Sequence, residues 1–281
     1  MEHQEGFFQG VRDIHMYYQN WLPESPPKAI LLVAHGLAEH CGRYMNLVNH
    51  FVPLGYAVYG VDYMGHGKSE GPRVHVQRFE DFTDTLRIFF DMIQKRQPGK
   101  SVFLIGHSMG GLIAAYYLLD HQADLTGAIL SAPSVKVPDN ISSARLTMGR
   151  ICSALLPKLG IIHIDPEGVS RDPAVVKAYV DDPLVYTGKA TARLVAELFK
   201  AMQRLSAEAA TITLPLLILQ GGDDRLVDPA GAQMLYDGIT STDKTLKVYD
   251  GLYHEVFNEP EHEQVLHDLQ RWLESHMGPR G

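Results

Sequence analysis

Between Ala29 and Tyr249 the chain repeats one pattern, a short and nearly continuous apolar run followed by a longer stretch with helical periodicity. The apolar runs are Ala29–His35, Tyr56–Asp62, Ser101–Gly106, Gly127–Ser131, Leu216–Gln220 and Thr245–Tyr249. The helical patterns cover Arg43–Phe51, Phe79–Arg96, Met109–His121, Pro229–Gly238 and Pro260–Ser275. Runs that stay apolar instead of alternating suit strands covered on both faces. Strand–helix alternation of this kind predicts an α/β protein, with a mostly parallel central sheet and helices on both faces. Phe7 to Trp21 predicts an antiparallel hairpin that adds edge strands.

One stretch breaks the alternation. From Ser134 to about Ala210 no strand pattern stands out, and helical patterns at Ala144–Leu156 and Ala190–Ala207 are punctuated by Pro157, Pro166, Pro173 and Pro183. This predicts a helical cap insertion at 134–210, carried by a core made of 1–133 and 211–281. A chain of 281 residues is long enough for that arrangement.

Composition narrows the class. The formal net charge is −8, and no basic run occurs. Nucleic acid is therefore excluded as the main partner, because phosphate neutralisation needs clustered Lys and Arg. Two cysteines, Cys41 and Cys152, cannot build a disulfide framework and fit a reducing compartment. No C-x-x-C or Cys/His cluster suggests a metal. Met1 to Glu5 lacks the basic start and apolar core of a signal peptide. No run approaches the ~18 apolar residues of a membrane span, and Leu214–Leu219 is short and holds a proline. These features predict a soluble, cytoplasmic protein. Gly278-Pro279-Arg280-Gly281 reads as a disordered tail.

The run Val102-Phe103-Leu104-Ile105 leads directly into Gly106-His107-Ser108-Met109-Gly110, and the helix beginning Gly111-Leu112-Ile113-Ala114-Ala115 follows. This is G-x-S-x-G in its required context. A strand that turns abruptly into a helix presents the apex serine on a strained backbone, and small flanking residues leave room for the turn. The helix N-terminus behind it favours a developing anion. Ser108 is the predicted nucleophile of an α/β-hydrolase fold.

A serine hydroxyl needs a general base, and the base needs an orienting group. In this fold the order along the chain is serine, acid, histidine. Of 14 histidines, only His254 follows the last strand directly. His35, His40, His66 and His75 precede the serine, His163 lies in the insertion, and His121, His262, His267 and His276 sit in helical settings. The acid belongs in the loop after Leu216–Gln220, which offers Asp223, Asp224 and Asp228. The oxyanion donors are expected to be the Met109 N–H, directly after the nucleophile, and the Leu37 N–H, in the His35-Gly36-Leu37 turn after the first parallel strand.

Four blocks together resemble the monoacylglycerol lipase family. They are His35-Gly36-Leu37-Ala38-Glu39-His40-Cys41-Gly42-Arg43-Tyr44, Asp62-Tyr63-Met64-Gly65-His66-Gly67-Lys68-Ser69-Glu70-Gly71, Gly106–Gly111, and Gly222–Asp228 with Tyr253-His254. The resemblance implies a Ser-Asp-His triad whose acid is the aspartate before Arg-Leu, here Asp224. It also implies that Glu39, Arg43 and Tyr179 stand near the polar end of the pocket, where a glycerol headgroup would lie. Phe257 departs from members that carry another histidine three residues after the base, with Asn258 the neighbour able to compensate. The implied activity is hydrolysis of a small lipid ester, a monoacylglycerol, without metal or organic cofactor. Lysophospholipases and broad carboxylesterases share much of the pattern, and a non-catalytic ligand-binding member would normally have lost a triad residue. The apolar residues Ile141, Leu146, Met148, Ile151, Leu155, Leu156, Leu159, Ile161 and Ile162 predict an acyl-chain lining or a face that touches a membrane surface. Oligomeric state is not readable from the sequence.

Overall fold

The computed structural model describes residues 1–137 and 143–277. The tail Gly278–Gly281 and Ile141 of the apolar stretch lie outside the described residues, as does the Leu146 side chain. The chain opens with β1 (Glu2–Gln9) and β2 (His15–Leu22), followed by β3 (Ala29–Ala34), α1 (Met45–Phe51), β4 (Tyr56–Val61), α2 (Glu80–Arg96), β5 (Val102–His107), α3 (Met109–His121) and β6 (Gly127–Ser131). An excursion holds α4 (Ser143–Leu155), β7 (Gly160–His163), α5 (Pro173–Asp181), β8 (Lys189–Thr191) and α6 (Ala192–Glu208). The chain then returns through β9 (Leu216–Gly221), α7 (Ala230–Gly238), β10 (Lys244–Tyr249) and α8 (His262–Ser275).

Eight strands form one sheet in the order β1-β2-β4-β3-β5-β6-β9-β10. The run from β4 to β10 is parallel, and the β1–β2 hairpin joins β4 antiparallel at one edge. Every residue of β3, β4 and β5 is buried. Alternation within β3 explains why the run needs no polar positions. Ile30, Leu32 and Ala34 enter the core shared with α2 and α3, whereas Ala29, Leu31 and Val33 enter the core shared with α1 and α8. Each fully buried Leu, Ile or Val contributes about 1.5–3 kcal/mol before chain entropy is counted. Helix α3, with ten consecutive buried residues from Met109 to Leu118, is apolar all round because it is enclosed.

The excursion differs from the pattern read in the sequence. It contains two strands, β7 and β8, paired antiparallel with an irregular register. They are four and three residues long and largely exposed along β7, too short for a periodic signal. Helix α5 starts where Pro173 reads as an interruption. Asp172 caps it by accepting the Ala174 N–H at 2.8 Å, and Pro173 occupies the first turn, where its missing N–H costs nothing. Asp165 caps a short 3-10 turn at Pro166–Gly168 in the same way.

Candidate active site

Ser108 is the single residue between β5 and α3, with φ 54° and ψ −116°. A non-glycine residue at positive φ is strained, and the surrounding structure must hold it there. Its N–H donates to the Ser131 carbonyl at 3.0 Å, and its own carbonyl accepts from Leu112 and Ser134, both at 3.1 Å. The neighbours need to be glycine. A Cβ on Gly106 would strike the Gly110 carbonyl, and one on Gly110 would strike the carbonyls of Ala34 and His35. The nucleophile turn and the end of β3 are therefore packed backbone to backbone.

Asp224 follows β9 and His254 follows β10, the last two parallel strands. His254 Nδ1 lies 2.8 Å from Asp224 Oδ2, and the two side chains are almost wholly buried. A carboxylate only accepts, so the proton sits on Nδ1 and leaves Nε2 to receive one. Asp224 is held on both oxygens. Oδ1 accepts from the N–H groups of Leu226 at 2.9 Å and Val227 at 3.1 Å, and Oδ2 also accepts from Gln220 at 3.0 Å. Burial opposes the Asp224 charge, but His254 and these donors outweigh it and lower the pKa. Burial likewise opposes a charged His254, and Asp224 reverses this, raising the pKa above 6.5. Asp223 is exposed, while Asp228 pairs with Lys136 at 2.5 Å and bonds the Ala230 N–H. Of the three aspartates in the loop, only Asp224 meets the histidine.

His107 lies 4.7 Å from His254, ring centre to ring centre and tilted by 51°, and bonds Ser131 Oγ at 3.1 Å. Burial, reinforced by repulsion from His254, pushes His107 down to about 4. It is neutral at neutral pH and leaves His254 as the titrating imidazole of the pair.

The second loop begins at His35. Its Nε2 accepts the Tyr63 N–H at 2.9 Å, so its Nδ1 donates to the Gly36 carbonyl at 2.7 Å. Glu39 Oε1 accepts the Gly36 N–H at 2.6 Å and the Tyr44 hydroxyl at 2.9 Å. These bonds fix the loop that carries the Leu37 N–H, and Ala38 holds φ 66° within it. Met109 is the first residue of α3, so its N–H has no helical acceptor four residues back. Both Leu37 and Met109 line the same cavity as Ser108.

That cavity measures about 240 Å³. Its polar lining includes Glu39, Tyr179, His254 and Glu255. Its apolar lining includes Ile162, Ile164, Val195, Leu198, Phe199 and Met202. The last four are spaced i, i+3, i+4, i+7 along α6 and form one helical face. The sequence pointed to the stretch ending at Ile162 for this apolar wall. Of that stretch Ile162 lines the cavity, while Met148, Ile151, Leu155, Leu156, Leu159 and Ile161 are exposed.

Arg43 stands behind Glu39 and does not line the cavity itself. Its Nη1 donates to Glu39 Oε2 at 2.8 Å and Glu255 Oε1 at 2.6 Å, and its Nη2 donates to Glu255 Oε2 at 2.9 Å. The guanidinium lies 4.6 Å over the Tyr179 ring. Burial alone would raise the Glu39 pKa, but Arg43 brings it down instead. Phe257 packs into the core with α1 and α8, and Asn258 donates to Glu255 at 2.9 Å. Glu255 and His107 are pocket residues that the sequence reading missed. Each adjoins a residue it did select, and adjacency to Ser108 and His254 was the available signal.

A strained serine at a strand–helix turn, opening on a cavity shared with a buried His–Asp pair, defines a serine hydrolase of the α/β-hydrolase fold. Residues 25–261 match the family described as serine aminopeptidase, S33. The chain is 38% identical to a monoacylglycerol lipase of Mycolicibacterium smegmatis, over 97% of this chain and 98% of that one. It is 34% identical to the human monoglyceride lipase, over 95% and 89%. The crystal structure of a monoacylglycerol lipase from Paleococcus ferrophilus superposes with a TM-score of 0.82 at 30% identity, covering 98% of this chain and 100% of that one. The chain belongs to the monoacylglycerol lipase family of serine ester hydrolases.

Proposed function

We propose that this protein hydrolyses monoacylglycerols to fatty acid and glycerol through Ser108, His254 and Asp224. His254 Nε2 takes the Ser108 hydroxyl proton as Oγ attacks the ester carbonyl carbon. The carbonyl oxygen becomes an anion held by the N–H groups of Leu37 and Met109. Asp224 keeps the imidazole oriented and stabilises its charged form. The carbon–oxygen bond to glycerol then breaks, and His254 returns its proton to the leaving oxygen. Water, deprotonated by His254, attacks the acyl-serine and releases the fatty acid. No cofactor takes part.

The observation that carries this reading is the single cavity lined by Ser108 and His254, polar at Glu39, Tyr179 and Glu255 and apolar along α6. One acyl chain and one small polyol match those two kinds of lining. The excursion 134–210 is read as a cap that supplies the apolar wall. A panel of 1-monoacylglycerol, triacylglycerol, lysophosphatidylcholine and p-nitrophenyl esters tests the substrate. The account expects monoacylglycerol to be preferred, and a triacylglycerol turned over equally well overturns it. A lysophospholipid preferred instead makes the protein a lysophospholipase.

The reading extends to a lipid surface. Met148, Ile151 and Leu155 share one exposed face of α4, and Leu156, Leu159 and Ile161 continue it. An apolar face of this kind dips into the interface plane without spanning it. Replacing Leu155 and Leu156 by Ser is expected to weaken sedimentation with phosphatidylcholine vesicles while p-nitrophenyl acetate hydrolysis is retained. Undiminished vesicle binding contradicts this surface.

A further inference from the structure

We infer that Glu255 is a specificity-determining residue that restricts the site to esters with uncharged headgroups. This rests on the hydrolase reading above and deepens it. Anionic headgroups are normally gripped by an arginine fork, whose paired N–H donors match two oxygens of a phosphate. Arg43 is the cation behind Glu39 and Glu255, and its fork is already occupied. Both Glu255 oxygens accept from it, at 2.6 Å and 2.9 Å, and Glu39 takes a further bond at 2.8 Å. Tyr179 covers its face. Two carboxylates around one guanidinium leave this end of the cavity with one excess negative charge.

Lys136, a cation that does line the cavity, is bound to Asp228 at 2.5 Å. A phosphate entering the polar end thus meets carboxylates in a low-dielectric recess, where like charges repel strongly. A polyol meets acceptors for its hydroxyl protons. Glu255 decides between these cases because it fills the fork. Asn258 fixes it there by donating to Oε2.

The test compares kcat/KM for 1-oleoylglycerol and 1-oleoyl lysophosphatidic acid in the wild type, Glu255→Gln and Glu255→Asp. The neutral-to-anionic ratio is expected to fall about tenfold or more in Glu255→Gln, which removes the charge and one of the two acceptors Glu255 offers the fork. It is expected to stay close to the wild-type value in Glu255→Asp, which keeps the charge. An unchanged ratio in Glu255→Gln, or a wild type that favours the anionic ester, overturns the inference. The hydrolase reading is judged separately, by wild-type turnover of 1-oleoylglycerol against trioleoylglycerol. Should Glu255→Gln fail to fold, the wild type alone still decides. Glycerol is expected to protect Ser108 from a fluorophosphonate at concentrations about tenfold or more below those needed for glycerol 3-phosphate. Equal protection by the two overturns the inference.

Discussion

His254 donates its Nδ1 proton to Asp224 Oδ2 across 2.8 Å, and Asp223, one residue earlier, does not reach it. The two aspartates share charge, size and loop but only one meets His254. Asp224→Asn is therefore expected to lower kcat by about three to four orders of magnitude, the scale for losing the orienting acid of a triad. Asp223→Asn is expected to stay within about twofold of wild type, as exposed substitutions away from such contacts do. Steady-state kinetics on a soluble ester checks both, and equal losses contradict the assignment.

The same contact sets the pH dependence. His254 works as a base only when neutral, so kcat/KM falls as pH drops through its pKa. Asp224 raises that pKa above the ordinary 6.5. The acidic limb of the pH–rate profile is expected above 6.5 in the wild type. In the residual activity of Asp224→Asn it is expected to move to lower pH, because the largest opposition to burial is then gone. A limb that does not move on this substitution contradicts the coupling.

Arg43 answers to two buried carboxylates, so its removal is a stability experiment. Arg43→Met leaves Glu39 and Glu255 without their cation, and breaking a buried ion pair on one side costs about 3–5 kcal/mol. In the wild type the Glu39 pKa is lowered, so its contribution is present above the ordinary value of 4.5 and is lost as pH falls. Without Arg43, burial raises the folded pKa instead, and the penalty is felt above 4.5 and relieved below it. Urea unfolding is expected to show a large deficit at neutral pH that shrinks toward pH 4.5. A deficit independent of pH contradicts the charge explanation.

Two glycines give opposite expectations. Gly110→Ala drives a methyl into the carbonyls of Ala34 and His35 and is expected to cost about 1–3 kcal/mol or more. Gly149, inside α4, has open space around its missing Cβ. Gly149→Ala is expected to stabilise by about 0.5–1 kcal/mol through helix propensity. Denaturant midpoints at constant m check both.

The sheet was legible because burial on both faces leaves a mark, an apolar run with no polar alternation, as in Tyr56–Val61 and Val102–His107. The observed strand ends fall within a residue of the apolar runs. Ser108 was legible because its turn demands small neighbours in fixed places. The excursion was less so. Strands β7 and β8 are too short to carry a period, and Pro173 reads as a break unless Asp172 before it is recognised as a cap. Glu255 was readable only as the neighbour of His254; its pairing with Arg43, 212 positions away, was not, because only the fold joins them.

The central claim is that Ser108 is a nucleophile made reactive by this fold. Reaction with a fluorophosphonate probe followed by peptide mass spectrometry tests it most directly. The folded wild type is expected to carry one adduct, on Ser108. Labelling is expected to disappear in Ser108→Ala and to slow by orders of magnitude in His254→Ala. No adduct on Ser108 in folded protein, or equal labelling of Ser108→Ala, contradicts the account.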